Sequence, residues 1–259
     1  MAYTPMMQQY LEMKEQYKDC ILFFRLGDFY EMFFEDAIVG ARDMEITLTK
    51  KSCGEEERAP MCGVPYHAAD TYIAKLIEKG HKVAVCEQME DPAQAKGIVR
   101  REVVRIVTPG TVLSQNMLSE KENNFLASVY VGEEGEGLVY CDISTGEFGA
   151  VAFYGPSHME SLLAEITKID PREILVNTSD PASDTICRQI SLLSGSYLSP
   201  GPADYYQERN CSRKIREHFH TDAEGSVGLD RKEASELFFA AGALLQYLSD
   251  TQKQSMDHL

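Results

Sequence analysis

The sequence predicts a chain of two α/β domains, and three observations carry that prediction. Its 259 residues suit roughly two domains, because a typical domain has about 100–200 residues. Hydrophobic residues make up 44% of the chain and charged residues 25%, close to the average of globular proteins. Short β-branched or aromatic runs alternate with helical patterns in both halves, which is typical of sheets covered by helices.

The excess acidic charge lies mainly in the second half of the chain. The net charge is −16, of which residues 1–113 carry −4 and residues 114–259 carry −12. The polar segment 114–123 lacks apolar periodicity, so we expect a linker there, between a domain at 1–113 and another at 124–230. The overall charge argues against nucleic-acid binding through net charge, and it leaves a local basic patch open.

The first half is predicted to form three helices and five strands of a mixed sheet. Thr4-Pro5 indicates a helix start, with a hydroxyl N-cap and a proline in the first turn. Two further helices are expected over 34–43 and around 72–77, and Gly80 ends the latter. A loop is expected over 51–58. The predicted strands are 21–25, 29–33, 46–48, 82–86 and 103–107.

Gly27-Asp28, between two apolar aromatic runs, indicates a tight hairpin with glycine at the first central turn position. If the following residues formed a helix, Phe29 and Glu31 would point to nearly opposite sides, about 200° apart. In a strand that leaves the turn, both side chains project from one face. The hairpin therefore places an aromatic ring and a carboxylate side by side.

This pairing of ring and carboxylate suits contact with distorted DNA. An aromatic side chain inserted between base steps unstacks and kinks DNA from the minor groove, and a neighbouring carboxyl can hydrogen-bond a displaced base edge. A carboxylate facing DNA is costly as a charge, so protonation or a strong donor partner is expected. Two other interpretations stay open on spacing alone: Phe29 is a core residue, or Asp28 and Glu31 form a helix-capping arrangement.

The second half begins with three strand-like runs, at 125–131, 138–143 and 147–153, joined by short turns that contain glycine. A helix at 158–168, a strand at 173–176 and a second helix follow. This succession predicts a ribonuclease-H-like strand order. The last apolar segment, 232–248, is strongly helical. An exposed apolar helix usually has a partner, so we expect the chain to be part of a longer protein.

No motif for catalysis or for a cofactor is present. The sequence lacks a phosphate loop, a dinucleotide-binding Gly-x-Gly-x-x-Gly, a nucleophile elbow and a His-Glu-x-x-His motif. A zinc site of Cys62, His67 and Cys86 lacks a fourth ligand, so His67 is interpreted as a loop histidine. Asp142 lies in a predicted strand without the further carboxylates that a two-metal nuclease needs. We therefore predict no catalytic residue, no metal site and no cofactor.

The sequence also predicts where the protein resides. No stretch approaches the about 20 apolar residues of a membrane helix, and the N-terminus has no signal peptide. The seven cysteines include no Cys-x-x-Cys pair, which favours reduced thiols. The expected location is the cytoplasm, with no membrane partner.

Five segments, in this order, resemble the N-terminal part of the MutS family of bacterial DNA mismatch repair proteins. The segments are TPMMQQY at 4–10, FRLGDFYE with FEDA at 24–37, PMCGVPYH at 60–67, VCEQ at 85–88 and VVRIVTPGT at 103–111. The remainder is similar, more loosely, to the connector domain of the family, and residues 231–259 to the start of its helical lever region. The resemblance therefore covers the whole chain.

The resemblance implies roles for particular residues. Phe29 and Glu31 match the mismatch-reading pair of the family, in which the ring stacks on the mispaired base and the carboxyl hydrogen-bonds to it. Leu26 matches a position beside this wedge, and Lys51 matches a position near the DNA backbone, where an arginine would also fit. A local basic cluster suits phosphate contact, although a solvated strand edge would show the same pattern. This cluster consists of Lys96, Arg100, Arg101 and Arg105, of which Arg101 also matches a backbone position.

The resemblance implies recognition of mismatched or unpaired bases in duplex DNA during post-replicative mismatch repair. The full-length parent would be a homodimeric, DNA-dependent ATPase that binds ATP and Mg²⁺ in a domain absent from this chain. The connector domain would contact downstream mismatch repair proteins. Two rival hypotheses stay open: a hydrolase or nuclease that uses the acidic second half, and a protein-interaction module whose aromatic hairpin binds a protein.

Overall fold

A computed structural model describes residues 3–54, 58–90, 97–112, 123–178, 181–253 and 259. The described residues divide into two compact units, one up to Thr108 and the other from Pro109 onward. Each unit contains one mixed sheet with helices, so the predicted α/β class is confirmed. Within these described residues, no helix is long and apolar enough to cross a membrane. The predicted linker at 114–123 lies outside the described residues, except for Asn123.

The first unit is built on a six-stranded sheet in the order β3-β4-β2-β1-β5-β6. Strands β1 and β5 run parallel, and the other neighbours are antiparallel. Its helices are α1 (Pro5–Gln16), α2 (Phe34–Met44) and α3 (Ala69–Glu78). Its strands are β1 (Cys20–Leu26), β2 (Phe29–Phe33), β3 (Thr49–Ser52), β4 (Arg58–Pro65), β5 (Lys82–Gln88) and β6 (Arg101–Val107).

Helix α1 covers one face of this sheet and anchors its central strands. The Thr4 hydroxyl accepts a hydrogen bond from the Met7 N–H at 3.4 Å, as expected for an N-cap. Tyr10 packs edge-on against Phe24 and Phe33, with ring centroids 5.5 and 5.0 Å apart. Its hydroxyl also donates to the Asp36 carboxylate at 3.1 Å. Phe24 of β1 and Phe33 of β2 are therefore held in the core beneath α1.

Two predictions for the first unit need correction. The strand predicted at 46–48 is wrong, because α2 ends in a left-handed Glu45 (φ 59°) and pairing begins only at Thr49. The strand β4 was not predicted, and the loop expected over 51–58 overlaps the end of β3. Proline and glycine lower the strand propensity of β4, but β4 pairs with β3 on one side and β2 on the other. Tertiary pairing thus overrides propensity there.

The second unit contains a five-stranded sheet in the order β11-β10-β7-β8-β9. Strands β7, β8 and β9 form an antiparallel meander, and β10 and β11 add in parallel beyond β7. The predicted ribonuclease-H-like order is confirmed. The strands are β7 (Phe125–Val131), β8 (Gly135–Asp142), β9 (Glu147–Tyr154), β10 (Glu173–Asn177) and β11 (Tyr197–Gly201). The helices are α4 (His158–Ile169), α5 (Pro181–Leu193), α6 (Glu208–Phe219) and α7 (Ser235–Gln252).

Helix α7 corrects the expectation for residues 231–259. These residues were predicted to start an exposed helical lever region, but α7 is almost entirely buried within the second unit. Glycines allow the close approach: a Cβ at Gly137 of β8 would overlap the Glu236 backbone, and one at Gly242 would lie 2.5 Å from the Cys211 Sγ. The apolar residues of α7 are buried within the second unit itself, so a helical lever region is not evident.

Candidate nucleic-acid interface

Strands β1 and β2 form the hairpin that the sequence predicts. Leu26 pairs with Phe29 across a two-residue turn of Gly27 and Asp28. Gly27 has φ +57°, a conformation that glycine adopts at little cost. The turn is therefore as tight as the Gly-Asp pair indicates.

Phe29 and Glu31 lie on the same face of β2, since they are two residues apart in a strand. Their partners in β1, Leu26 and Phe24, complete that face. Phe24 is fully buried, whereas Phe29 is 47% exposed. The face thus runs from the core to the surface and ends in an exposed ring, so the structure does not support the interpretation of Phe29 as a core residue. The binding roles of Phe29, Glu31 and Leu26 stay predictions.

The Glu31 carboxylate has a basic partner on a different strand. Lys51 of β3 places its Nζ 2.5 Å from Oε2 of Glu31, and the Glu31 side chain is only 16% exposed. Gly63 of β4 lies opposite Glu31 in the sheet. A Cβ there would come within 3.3 Å of the Tyr30 carbonyl oxygen and 3.5 Å of the Glu31 Cγ. Glycine at this position therefore avoids a close contact with the Tyr30 carbonyl oxygen.

The turn is held by two residues outside it. The Arg25 Nε donates to the Gly27 carbonyl oxygen at 2.5 Å, and the Arg25 guanidinium lies 4.0 Å from the centroid of the Tyr66 ring. The Tyr66 N–H donates to the Asp28 carbonyl oxygen at 2.9 Å. The turn is thus hydrogen-bonded at both central residues, which limits the motion of Phe29 directly after it.

The opposite face of the hairpin is supported by Glu87 of β5. Its carboxylate accepts a hydrogen bond from the Tyr30 hydroxyl and forms an ion pair with Arg25 at 3.4 Å. Burial raises the pKa of Tyr30, and the hydrogen bond to Glu87 raises it further. The hydroxyl therefore stays protonated and keeps its role as a donor.

Among the described basic residues predicted to contact DNA, Arg101 is the most buried, with 7% of its surface exposed. Its Nε donates to the Arg25 carbonyl oxygen at 2.7 Å. One terminal nitrogen donates to the Gln9 side chain at 2.9 Å and to the Val99 carbonyl oxygen at 3.0 Å. The guanidinium also lies 4.9 Å from the Phe24 ring centroid. Burial lowers the pKa of Arg101, and its contacts join β6 to the hairpin.

The other members of the predicted basic cluster are dispersed. Arg100 is exposed and donates to Glu102 through its Nε at 3.0 Å. Arg105 is partly exposed and pairs with Asp70 at 3.1 Å. Lys96 lies outside the described residues. Because exposed ion pairs contribute little free energy, Arg100 and Arg105 can exchange their carboxylates for phosphates at small cost.

Asp142, the carboxylate considered for a nuclease, is the buried last residue of β8. It accepts hydrogen bonds from the Asn124 N–H at 3.0 Å and from the Ser144 N–H and hydroxyl at 2.8 and 2.6 Å. Burial raises the pKa of Asp142, but the hydrogen bonds outweigh it and the net shift is downward. Within the described ranges, no three His, Cys, Asp or Glu side chains are grouped so that they could hold a metal ion.

Sequence reasoning missed the residues that position the hairpin. Arg25, Gly63 and Tyr66 lie in segments that resemble the MutS family, but no local sequence pattern assigns them to the turn. The proximity of Gly63 and Tyr66 to the hairpin depends on β4, which the sequence did not predict, whereas Arg25 lies in β1 two residues before Gly27. Recognising PMCGVPYH as a strand paired with β2 would have placed Gly63 beside Glu31.

Comparison with known proteins gives consistent matches over the two units. The models of MutS domain I and MutS domain II match residues 4–116 and 124–259. The DNA mismatch repair protein MutS of Acetivibrio thermocellus is 51% identical over 257 residues, which cover 99% of this chain and 29% of that protein.

Two further relatives carry the same name. MutS of Ruminiclostridium cellulolyticum is 50% identical over 256 residues, 99% of this chain and 29% of the relative. MutS of Clostridioides difficile is 50% identical over 251 residues, 97% of this chain and 25% of the relative. The chain thus spans less than a third of the length of the curated relatives that it matches.

Proposed function

The chain belongs to the MutS family, and from this premise we propose that it recognises mismatched or unpaired bases in duplex DNA during mismatch repair. Binding, with no bond made or broken by these residues, is the activity that we assign. The proposal rests on the exposed ring of Phe29, the first residue of β2, a strand whose other end is buried in the core.

Phe29 would act as a wedge from the minor groove. An inserted aromatic ring separates a base step and kinks the duplex, at a cost of a few kcal/mol for unstacking. That cost is lower at a mismatched step, because a mispaired base is already easier to displace. Rigid support of the turn by Arg25 and Tyr66 would keep the ring extended, so that the energy of binding goes into deforming the DNA. Specificity then rests on deformability as well as on base contacts.

Glu31 would read the displaced base edge. Its carboxylate lies on the same face as the ring and one pleat closer to the core, within reach of a base that stacks on Phe29. Leu26, the cross-strand neighbour of Phe29, would fill the minor groove beside the wedge.

Backbone contacts would come from exposed cations around the hairpin. Arg100 and Arg105 are the described candidates, and Lys96 stays a sequence-based one. We assign Arg101 differently: its donors are already used within the unit, so it would act by holding β1 in place. With a net charge of −16 and few phosphate contacts, this chain alone would bind DNA weakly.

The second unit would serve as the connector that relays the bound state to downstream repair proteins. We also propose the homodimer, the cytoplasmic location and the ATPase activity for the full-length protein, together with domain limits near 1–113 and 124–230. The sequence has no phosphate loop, so its residues do not fit ATP and Mg²⁺. No step of the proposed recognition therefore depends on a nucleotide.

The test is the variant Phe29→Ala in the full-length protein. We expect its affinity for a duplex with one G·T mispair to fall to that for the matched G·C duplex, because no ring remains to stack on the displaced base. Ile38→Ala is the control, since Ile38 is comparably exposed at 44% on α2 of the same unit. Retained preference for the mispair in Phe29→Ala would contradict the proposal, and equal competition by mismatched and matched DNA with the original protein would favour the protein-interaction module.

A further inference from the structure

Lys51 and Glu31 form a close ion pair beside the exposed ring. The ammonium lies 2.5 Å from Oε2 of Glu31, with side-chain exposures of 34% for Lys51 and 16% for Glu31. The same ammonium lies 5.9 Å from the Phe33 ring centroid. The pair is thus partly shielded from water, where the interaction between charges is stronger than at an open surface.

The strand register fixes this pair in the sheet. Lys51 pairs with Ala59 in β4, and Glu31 pairs with Gly63 in the same strand. Thr49 and Phe33 both pair with Met61, between those two positions. Lys51, Glu31 and Phe33 therefore share one face, and the Lys51 side chain reaches diagonally across β4 to the carboxylate. Lys50 is next in sequence and projects from the opposite face of β3, so it offers a matched neighbour.

An unpaired carboxylate at this position would oppose DNA binding. The proposed approach brings Glu31 between two chains of phosphates, and the protein already carries a net charge of −16. A cation in contact removes most of the repulsion without removing the oxygens that accept hydrogen bonds. The contact engages Oε2, so Oε1 is the oxygen that we assign to the base.

We propose that Lys51 is the positioning and charge-neutralising partner of Glu31, and that the pair enters the minor groove intact. This inference rests on the proposed function and changes the role of Lys51, which the resemblance placed near the DNA backbone. Lysine suits the task because it is a point charge with three donors. One donor holds the carboxylate, and the others remain for water or for a nearby phosphate.

The experiment is a double-mutant cycle with Lys51→Met and Glu31→Gln in the full-length protein. Dissociation constants are measured by fluorescence anisotropy for a G·T duplex and its matched G·C duplex. With Glu31 present, we expect Lys51→Met to weaken binding of both duplexes by about tenfold, since an uncompensated charge then faces the phosphates. In the Glu31→Gln background, where there is no charge to compensate, we expect Lys51→Met to weaken binding by less than about twofold.

Equal losses in both backgrounds would overturn the inference, because an independent phosphate contact does not depend on the charge at position 31. Lys51→Arg should restore binding to within about threefold of the original, since it keeps the cation. This variant also provides a folded alternative if Lys51→Met is unstable. Lys50→Met is the control and should give the same small effect with and without the Glu31→Gln substitution.

The outcomes separate this inference from the proposed function. If Phe29→Ala retains mismatch preference, the wedge is wrong, whatever the cycle shows. If Phe29→Ala loses that preference and the cycle is additive, only the role of Lys51 is wrong.

Discussion

The end of the β1–β2 hairpin and the turn between β8 and β9 hold their carboxylates in different ways. Asp142 accepts three hydrogen bonds, two of them from Ser144 in its own turn. Glu31 has a lysine partner from another strand. The hairpin turn is held by Arg25 of β1 and by Tyr66 after β4, and Arg101 of β6 in turn holds β1.

This contrast distinguishes a structural carboxylate from a carboxylate that is available for binding. Three donors hold the Asp142 carboxylate, two from Ser144 close in sequence and one from the Asn124 N–H before β7, and losing them would leave a buried group unsatisfied. Among the described residues, Glu31 has instead a single partner, Lys51 on Oε2, which leaves Oε1 for water or a base edge. A buried carboxylate held by several donors is therefore expected to stabilise, and one with a single partner across strands at an exposed end is expected to bind.

The largest effect is expected from the long-range support of the hairpin. Arg101→Met should lower the free energy of unfolding by about 3 kcal/mol, because it leaves the partly buried carbonyls of Arg25 and Val99 without this donor. Its exposed neighbour supplies the comparison: Arg100→Met should cost at most about 0.5 kcal/mol. Thermal unfolding of the purified protein measures both. Equal changes in unfolding temperature for Arg101→Met and Arg100→Met would show that Arg101 does not stabilise the hairpin.

A smaller effect is expected at the locally supported turn. Asp142→Asn should cost about 2 kcal/mol near neutral pH and leave DNA binding unchanged. Because the folded state lowers the pKa of Asp142, its stabilisation is present above the unfolded-state pKa and is lost as the pH falls through the folded-state value. The difference in unfolding temperature from the original protein should therefore shrink toward strongly acidic pH. A difference that grows with acidification would contradict the assignment.

Next in size is the stacking of Arg25 on Tyr66. Tyr66→Ala removes a cation–π contact of about 1 kcal/mol, so mismatch preference should fall by about threefold. Hydrogen exchange at residues 27–29 should become faster, since the turn loses support. Tyr66→Phe keeps the ring and should leave both measurements unchanged. A fall in affinity for mispaired and matched duplexes alike would mean that Tyr66 contacts DNA and does not support the turn.

An effect of similar size is expected at the turn glycine. Gly27→Ala should cost about 1 kcal/mol, because its positive φ is unfavourable for a residue with a Cβ. Gly27→Asn should cost less, since asparagine tolerates this conformation. Local hydrogen exchange of the turn separates the two variants. If alanine and asparagine behaved alike, backbone strain would not be what selects glycine here.

The sequence predicted what depends on local patterns. The Gly-Asp turn, the shared face of Phe29 and Glu31 and the ribonuclease-H-like order all follow from turn chemistry and strand alternation. Strand β4 was not predicted from the sequence, because its prolines and glycine lower its strand propensity. In the structure it is nevertheless paired on both sides. Without β4, the contacts of Gly63 and Tyr66 with the hairpin could not be foreseen.

The arginine side chains show the same limit of prediction from local sequence patterns. Arg100 and Arg101 are neighbours in one basic run, and composition treats them alike. Alternation along β6 directs Arg101 inward, where the backbone of β1 offers it acceptors, and leaves Arg100 at the surface. Similarly, α7 is apolar enough to suggest an outside partner, and only the packing shows that its own unit covers it.

The central claim is that the Phe29 ring enters the duplex at the mispaired base. The most direct measurement replaces Phe29 with a benzophenone-bearing phenylalanine in the full-length protein and maps its photochemical crosslinks on G·T and matched duplexes. We expect crosslinks at the mispaired step of the G·T duplex, few on the matched duplex, and none at that step from the same group at Ile38. Crosslinks spread evenly along both duplexes, or equal in yield from positions 29 and 38, would contradict the account.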